Sequence, residues 1–526
     1  MGIIKSLQNL IDRLENIQLS FSQWFATLMS IIFMRNFLEI FSDFDNYWQV
    51  LNFQRFFVHY PICLISLLFL IVIILRLMSR ERIERITKIT ILFSLIIWSV
   101  PILDLILSTG KGFNISYLNG DFRSLMGKFI TFFGSYSGNG ASYGMRIEIG
   151  IVLFLTFLYV YLKTGKITRS IATPIMVYIA IFTLLSLPSW IIIFFKGLNN
   201  PEAASQFLES EMILNHFYSF DIKISLIFSI LISLELILWM YLYGKNKFVA
   251  LLKNVRGFRV LHYEAMLAAG MVLGYLVSIK SAPLTSPLSY LVLLTALLSV
   301  FFAWLCAVGV NDLSDIKIDL ISNRERPLAS GILTPTEYKN LTWIFFLLAL
   351  IFGYLVRYSF MTLILMYIVL LYVYSTRPLR FRRIPILSSF IIASASLFIM
   401  MGGFLIFSQN QTLLQFPRKV IWLVLLVFTL AVNFKDIKDI EGDKEDGIMT
   451  ILTLLGERKG KIIVGAFVLL SYFLTPFILG IPQLVIFSVI CGAASYWIIN
   501  REKMNEKHFF LIYFAFLFFV SYFYLC

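Results

Sequence analysis

Long apolar runs, each near the ~20 residues that a helix needs to cross a bilayer, recur along almost the whole chain and leave it few ways to fold. Backbone in lipid has no water to bond to and must satisfy itself, so such runs are read as helices. With 59% hydrophobic and only 14% charged residues among 526, the sequence is too apolar for a water-soluble surface. The expectation is an all-α, polytopic, integral membrane protein. Candidate spans in the first half lie near 58–78, 86–108, 146–162, 171–195 and 222–243. The stretch 20–35 is either a sixth crossing or an interfacial or re-entrant helix, because it is short and leads into Arg35, Glu39, Asp43 and Asp45. Nine more runs follow near 264–280, 288–310, 341–356, 360–376, 386–407, 418–434, 462–480, 482–499 and 508–526.

The basic, weakly apolar connector 243–263 separates the two sets, giving an expected N-terminal transmembrane domain over 1–245 and a second domain over 246–526. The formal net charge of +14 is carried by Lys and Arg between apolar runs, where it orients a membrane protein; nucleic acid is not expected as a partner. Arg76, Arg80, Arg82, Arg85 and Lys88 flank one loop, and Lys163, Lys166 and Arg169 lie in the next loop on the same side. Taking that side as cytoplasmic puts the acidic loop with Glu202, Glu209 and Glu211 outside. The same alternation brings the segments 311–331, 377–383, 435–461 and 500–507 all to the cytoplasmic side. Cys63, Cys306, Cys491 and Cys526 are scattered without ligand spacing, and residues 1–18 lack the apolar core of a signal peptide. The Gly-rich segment 134–144 is read as a loop on the outer side.

Two acidic clusters interrupt the second set of runs. In NDLSDIKIDLISNRERPLASG at 311–331, Asp312, Asp315 and Asp319 would fall within roughly 60° of one another on a continuous helix. Asp436, Asp439 and Asp443 repeat those offsets in KDIKDIEGDKEDG at 435–447. Like charges three and four residues apart disfavour a helix, so the repeat calls for a ligand, and Mg²⁺ shared with phosphate oxygens fits. Asp312, Asp315, Asp439 and Asp443 are the candidate metal ligands; Asp319 and Asp436 would bind directly or through water. Arg324, Arg326, Lys435 and Lys438 stand beside the clusters, and Arg377, Arg380, Arg382 and Arg383 lie between them, as candidate phosphate contacts. Tyr374 is a further candidate donor to a diphosphate. A diphosphate at the mouth of an apolar bundle implies a hydrocarbon at its other end, as in a polyprenyl diphosphate.

These residues resemble a family. N-D-x-x-D-x-x-x-D with NRERPLASG, then YSTRPLR, then DIKDIEGDKEDGIMTILTLLGERKG, is similar to the UbiA superfamily of intramembrane prenyltransferases, over about 250–526. The resemblance implies a nine-helix bundle with a central cavity, preceded here by a five- or six-helix transmembrane domain that has no counterpart in the family core. It implies Mg²⁺-dependent transfer of a prenyl group to a lipid-soluble or interfacial acceptor, such as a glycerol phosphate lipid or a quinone or aromatic precursor. Matched by position, Asn311, Asp312, Asp315 and Asp319 carry the first motif, and Asp436, Asp439 and Asp443 the second. Where many relatives have a Lys after the Tyr-Ser segment, this chain offers Arg380, Arg382 or Arg383. Two other readings stay open: a polyprenyl-phosphate phosphoribosyltransferase-like enzyme, suggested by RPLASG, and a cation-coupled transporter. In the N-terminal half, Asp104 and Glu235 fall inside apolar runs, where an ionisable group is a functional candidate. His59, His216, His262 and His508 form no metal signature.

Overall fold

The computed structural model describes residues 2–42, 53–107, 116–134, 141–198, 209, 211–214, 216–277, 284, 286–408, 412–502 and 504–525. Asp43, Asp45, Glu202, Cys526 and positions 135–140 of the Gly-rich segment lie outside the described residues. Apart from a two-stranded ribbon, Glu211–Ile213 with His216–Tyr218, the described regular structure is helical. Among the described residues, fourteen helices are long and apolar enough to span a membrane. Their outward faces carry large apolar side chains, including Trp422, Ile486 and Phe518, each more than two-thirds exposed, which is the surface a bilayer demands and water would not tolerate. The chain is an integral, multi-pass membrane protein.

The helices form two compact units, one made of 1–213, 217–245 and 286–291, the other of 214–216, 246–285 and 292–526. The first unit contains six of the long helices: Phe21–Phe41, Arg55–Ser79, Ile83–Leu107, Tyr143–Thr164, Ile167–Leu185 and Phe220–Tyr243. Phe21–Phe41 is thus of spanning length, although the sequence left that stretch ambiguous. The run expected at 171–195 is two helices, Ile167–Leu185 and Leu187–Gly197; Pro188, in the first turn of the second, has no N–H to continue the first. The Asp104 carboxylate accepts from Ser142 Oγ at 2.6 Å and Gly144 N at 2.8 Å, anchoring the start of Tyr143–Thr164. Glu235 accepts from Ser66 Oγ at 2.9 Å.

In the second unit, eight long helices and the shorter Leu484–Ile499 match the nine expected runs. The first of them begins at Gly257, within the basic connector, so Gly257–Val277 starts seven residues earlier than hydropathy places it. Its packing on Leu387–Phe407 depends on glycine. A Cβ on Gly270 would lie 1.8 Å from the Met400 carbonyl oxygen, and one on Gly403 would lie 2.1 Å from that of Leu267. Small residues let two apolar helices reach backbone contact, the arrangement that dispersion forces favour in lipid. These two helices wall one side of the cavity described below.

Candidate active site

Both acidic motifs sit at helix breaks. The long helix Pro287–Ser314 stops one residue before Asp315, which turns the chain (φ −108°, ψ 17°) into the short helix Ile316–Ser322. Asp439 does the same (φ −103°, ψ 10°) ahead of Ile440–Glu445. The sequence repeat is therefore a structural repeat, but the continuous acidic face expected for 312–319 is not formed, because the helix is interrupted at its middle carboxylate. The two short helices pack together at Gly442, where a Cβ would come within 2.6 Å of Ile318 Cγ2 and 2.7 Å of Ser322 Oγ. The span before the second break, Arg418–Ile437, is irregular too, with a π turn at Val424–Phe428 and a 3₁₀ turn at Val432–Ile437, a kind of interruption frequent at functional sites.

Arginines bind the breaks to each other. Arg382 is buried and reaches Asp315 with one nitrogen; the other lies 2.8 Å from Asp443 Oδ1 and 3.7 Å from Asp439 Oδ2. Arg380, also buried, lies 2.9 Å from Asp315 and contacts Asp446. Arg326 pairs with Asp319 and stands 3.5 Å from Asp312. Asn323 donates to Asp319 and Asp439, at 3.2 Å each. Burial pushes the Asp319 carboxyl up to about 6 against the pull of Arg326, and pushes Asp443 up to about 7 against Arg382. Burial works the same way on Asp439, but Arg382, Arg326 and Asn323 outweigh it and hold that carboxyl below its usual range. Arg382 is disfavoured as a buried cation, yet Asp315, Tyr374 and the second-motif carboxylates raise its affinity for the proton.

A cavity of about 560 Å³ opens beside this network. Asn311, Asp315, Asp319, Arg326, Tyr374, Arg382, Lys435, Asp436 and Asp439 line its polar end. Lys435 bonds Asp436 at 2.5 Å and lies 5.8 Å from the Tyr374 ring centre. The other expected residues lie off the cavity wall. Asp312 is held by Arg256, by Asn254 Nδ2 at 2.7 Å and by the Tyr338 hydroxyl at 2.8 Å. Asp443 and Arg380 are buried behind Arg382 and Asp315, Arg324 is exposed and donates to the Leu320 carbonyl at 2.9 Å, and exposed Lys438 pairs with Glu506. Sequence reasoning missed Arg256 and Arg259, which line the cavity from the start of Gly257–Val277; their place in a basic connector was the available signal. It also missed Asn254, Asn323 and Tyr338, for which nothing in the spacing spoke. The remaining wall is mostly apolar, with Trp304, Phe428 and Phe509 among its rings. Among its polar groups is His262, between the Ser396 and Tyr513 hydroxyls at 2.9 Å each.

Hard-oxygen and cationic groups at one end of an apolar intramembrane cavity suit an allylic diphosphate, and the class so defined is the intramembrane prenyltransferase. Residues 266–524 match the UbiA prenyltransferase family. Over 228 residues the chain is 26% identical to a digeranylgeranylglyceryl phosphate synthase of Methanobrevibacter smithii, covering 41% of this chain and 78% of that protein. The synthase of the same name from Sulfolobus acidocaldarius is 32% identical over 190 residues, 34% of this chain and 64% of that one. A homogentisate phytyltransferase of a Synechocystis strain is 28% identical over 172 residues, 30% of this chain and 56% of its own length. Among solved structures, a UbiA homolog from Archaeoglobus fulgidus bound to GPP and Mg²⁺ gives a TM-score of 0.41 at 17% identity, over 52% of this chain and 98% of that one.

Proposed function

We propose that residues 246–526 transfer a prenyl group from a polyprenyl diphosphate to a lipid-soluble or interfacial acceptor, with a glycerol phosphate lipid as the preferred class. The observation that carries this reading is the division of one cavity into a carboxylate- and cation-lined end and an apolar remainder. The digeranylgeranylglyceryl phosphate synthases among the similar proteins support the acceptor class; the phytyltransferase keeps an aromatic acceptor as the competitor to test.

The donor set fits Mg²⁺. Every candidate ligand is a carboxylate oxygen, and Asp443 Oδ2 is buried without a hydrogen-bond partner among the described residues. No group of three His, Cys, Asp or Glu side chains there could hold a metal alone, which suits an ion that takes one or two carboxylates and completes its shell with phosphate and water. One or two of the cavity-wall carboxylates Asp315, Asp319, Asp436 and Asp439 would hold it. When bound, the ion would neutralise charge on the departing diphosphate. Arg326, Arg382 and Lys435 would orient the phosphates, and the Tyr374 hydroxyl would donate to them. As the prenyl C–O bond breaks, the apolar wall excludes water from the allylic cation, and its rings stabilise the charge. The acceptor oxygen or carbon then forms the new bond, and its proton passes to the released diphosphate. With the basic loops taken as cytoplasmic, this end faces the cytoplasm.

The test incubates purified full-length protein with Mg²⁺, prenyl diphosphates of several lengths, and glycerol phosphate lipids or aromatic acceptors in parallel. Diphosphate release and a prenylated product are expected. No release with any donor overturns the reading, and release with the aromatic acceptors alone overturns the acceptor class.

A further inference from the structure

The first unit contains a cavity of its own, of about 550 Å³, within the size range of sites for small organic ligands. Its inner end is closed by the amphipathic helix Gly2–Glu15, whose Ile11 forms part of the wall. That helix is pinned by Lys163, 2.7 Å from both Asp12 and Glu15, and by the Tyr159 hydroxyl, which donates to Glu15 at 2.8 Å. Most of the wall is apolar, with Leu64, Leu67, Leu68 and Ile71 along one helix.

Polar groups gather at the opposite end, where several helices begin. Arg55 and His59 stand at the head of Arg55–Ser79, Asp221 in the first turn of Phe220–Tyr243, and Glu148 in the second turn of Tyr143–Thr164. His59 is buried and bonded to Ser225 and to the Tyr117 hydroxyl, both at 2.9 Å. Charge in the wall is almost balanced. Arg55 lies 3.0 Å from Asp221, and Arg35 is paired with Glu39 and bonded to Asn36. Glu148 is left over: among the described residues it has no hydrogen-bond or ion-pair partner, although it lines the cavity on a membrane-spanning helix. Thr90, 8% exposed, also lines the cavity, and its hydroxyl has no partner among the described residues.

An unpaired acid in a membrane span is costly and marks a site. Since Arg35 and Arg55, the arginines among the described residues of the wall, already have carboxylate partners, they offer an anionic head no free charge, whereas a hydrogen-bond donor would satisfy Glu148. We propose that this cavity binds a lipid-soluble amphiphile with a hydrocarbon tail and a hydrogen-bond-donating hydroxyl or amine head, a ligand class that excludes phosphates. The tail lies along the leucine wall, and the head meets Glu148. The site is separate from the transferase cavity and stands whether or not that domain transfers prenyl groups.

The test photolabels full-length protein in detergent with hexadecanol carrying a diazirine in its chain, with hexadecanol, hexadecylamine or hexadecyl phosphate as competitors, and maps the label by peptide mass spectrometry. Label is expected in segments 55–97 and 143–158, displaced by the alcohol or the amine but not by the phosphate. Glu148→Leu should weaken labelling at least about tenfold, the scale of one hydrogen bond to a charged group. Leu67→Trp, which fills the cavity without touching its polar groups, should abolish it. Label confined to 246–526, equal displacement by the phosphate, or undiminished labelling in either variant overturns the proposal.

Discussion

Arg382 joins the two acidic motifs, so replacing it tests the architecture of the site. In Arg382→Leu, the carboxylates of Asp315 and Asp443, 2% and 0% exposed, lose a shared guanidinium in a region too buried for water to replace it. Removing one partner of a buried ion pair costs about 3–5 kcal/mol, and for a unit of this size that lowers the unfolding midpoint by on the order of 10 °C. The measurement is thermal unfolding of purified protein in detergent at pH 8 with EDTA, since below about 7 the Asp443 carboxyl takes up a proton and absorbs part of the loss. Adding Mg²⁺ should then stabilise the variant more than the wild type, because carboxylates freed from Arg382 become available to the ion. Arg382→Lys should fall between, keeping the charge but losing the fork that spans two carboxylates. A midpoint within about 2 °C of wild type in EDTA, well below the change worked above, would refute the claim that this guanidinium holds the breaks together.

Asp315→Ala and Asp439→Ala should each lower prenyl transfer by at least about a hundredfold, the order lost when a preorganised electrostatic contact is removed, while leaving the protein folded by size exclusion; wild-type turnover in both would mean the metal assignment is wrong. The pH dependence follows from Asp319 and Asp443, whose folded pKa values of about 6 and about 7 lie above the ordinary 3.8. The folded state keeps protons that the unfolded chain has lost, so metal-free stability should fall as pH rises from about 4 to about 7 and then level off; a midpoint that rises across that window would contradict the burial of these acids. Gly442→Val should separate the short helices Ile316–Ser322 and Ile440–Glu445, where a Cβ meets Ile318 at 2.6 Å, and reduce transfer with little change in expression; full activity would show that the helices need not touch.

The spans were legible because lipid imposes one rule on every residue of a crossing, and mean hydropathy registers it. Even the short Leu484–Ile499 was visible in this way. Breaks inside apolar runs were not: Pro188 beside the interruption at Ser186 barely lowers the mean, and the π turn at Val424–Phe428 leaves composition unchanged. At the site, the repeated spacing of six aspartates identified the motifs but not their division of labour. Asp312 and Asp319 are seven residues apart, yet one is enclosed by Asn254, Tyr338 and Arg256 while the other lines the cavity. That difference depends on a helix ending at Ser314 and on partners from 26 to 58 positions away, neither of which a helical wheel contains. The same limit hid Arg256, whose distance from Asp312 in sequence concealed a direct ion pair.

The arrangement also constrains how ligands bind. Carboxylates and basic side chains here neutralise one another: Arg382 with Asp315 and Asp443, Arg326 with Asp319, Lys435 with Asp436. A diphosphate arriving alone must draw arginines away from buried carboxylates and leave those uncompensated; Mg²⁺ arriving alone must do the reverse. Arriving together, each supplies the partner that the other displaces, so neither set of charges is left bare in a region of low dielectric. Linkage then requires each ligand to tighten the other by the same factor. Calorimetric titration of inorganic pyrophosphate should show affinity at least about tenfold higher with Mg²⁺ than with EDTA, and Mg²⁺ titrations should show the same gain with pyrophosphate, a coupling within the usual allosteric range. Magnesium complexes pyrophosphate in solution as well, so the comparison is made against Arg382→Leu, in which the exchange of partners is removed and the coupling should shrink to the solution value. Equal coupling in the wild type and the variant would refute the exchange, and with it the view that these ion pairs are the resting form of the substrate site.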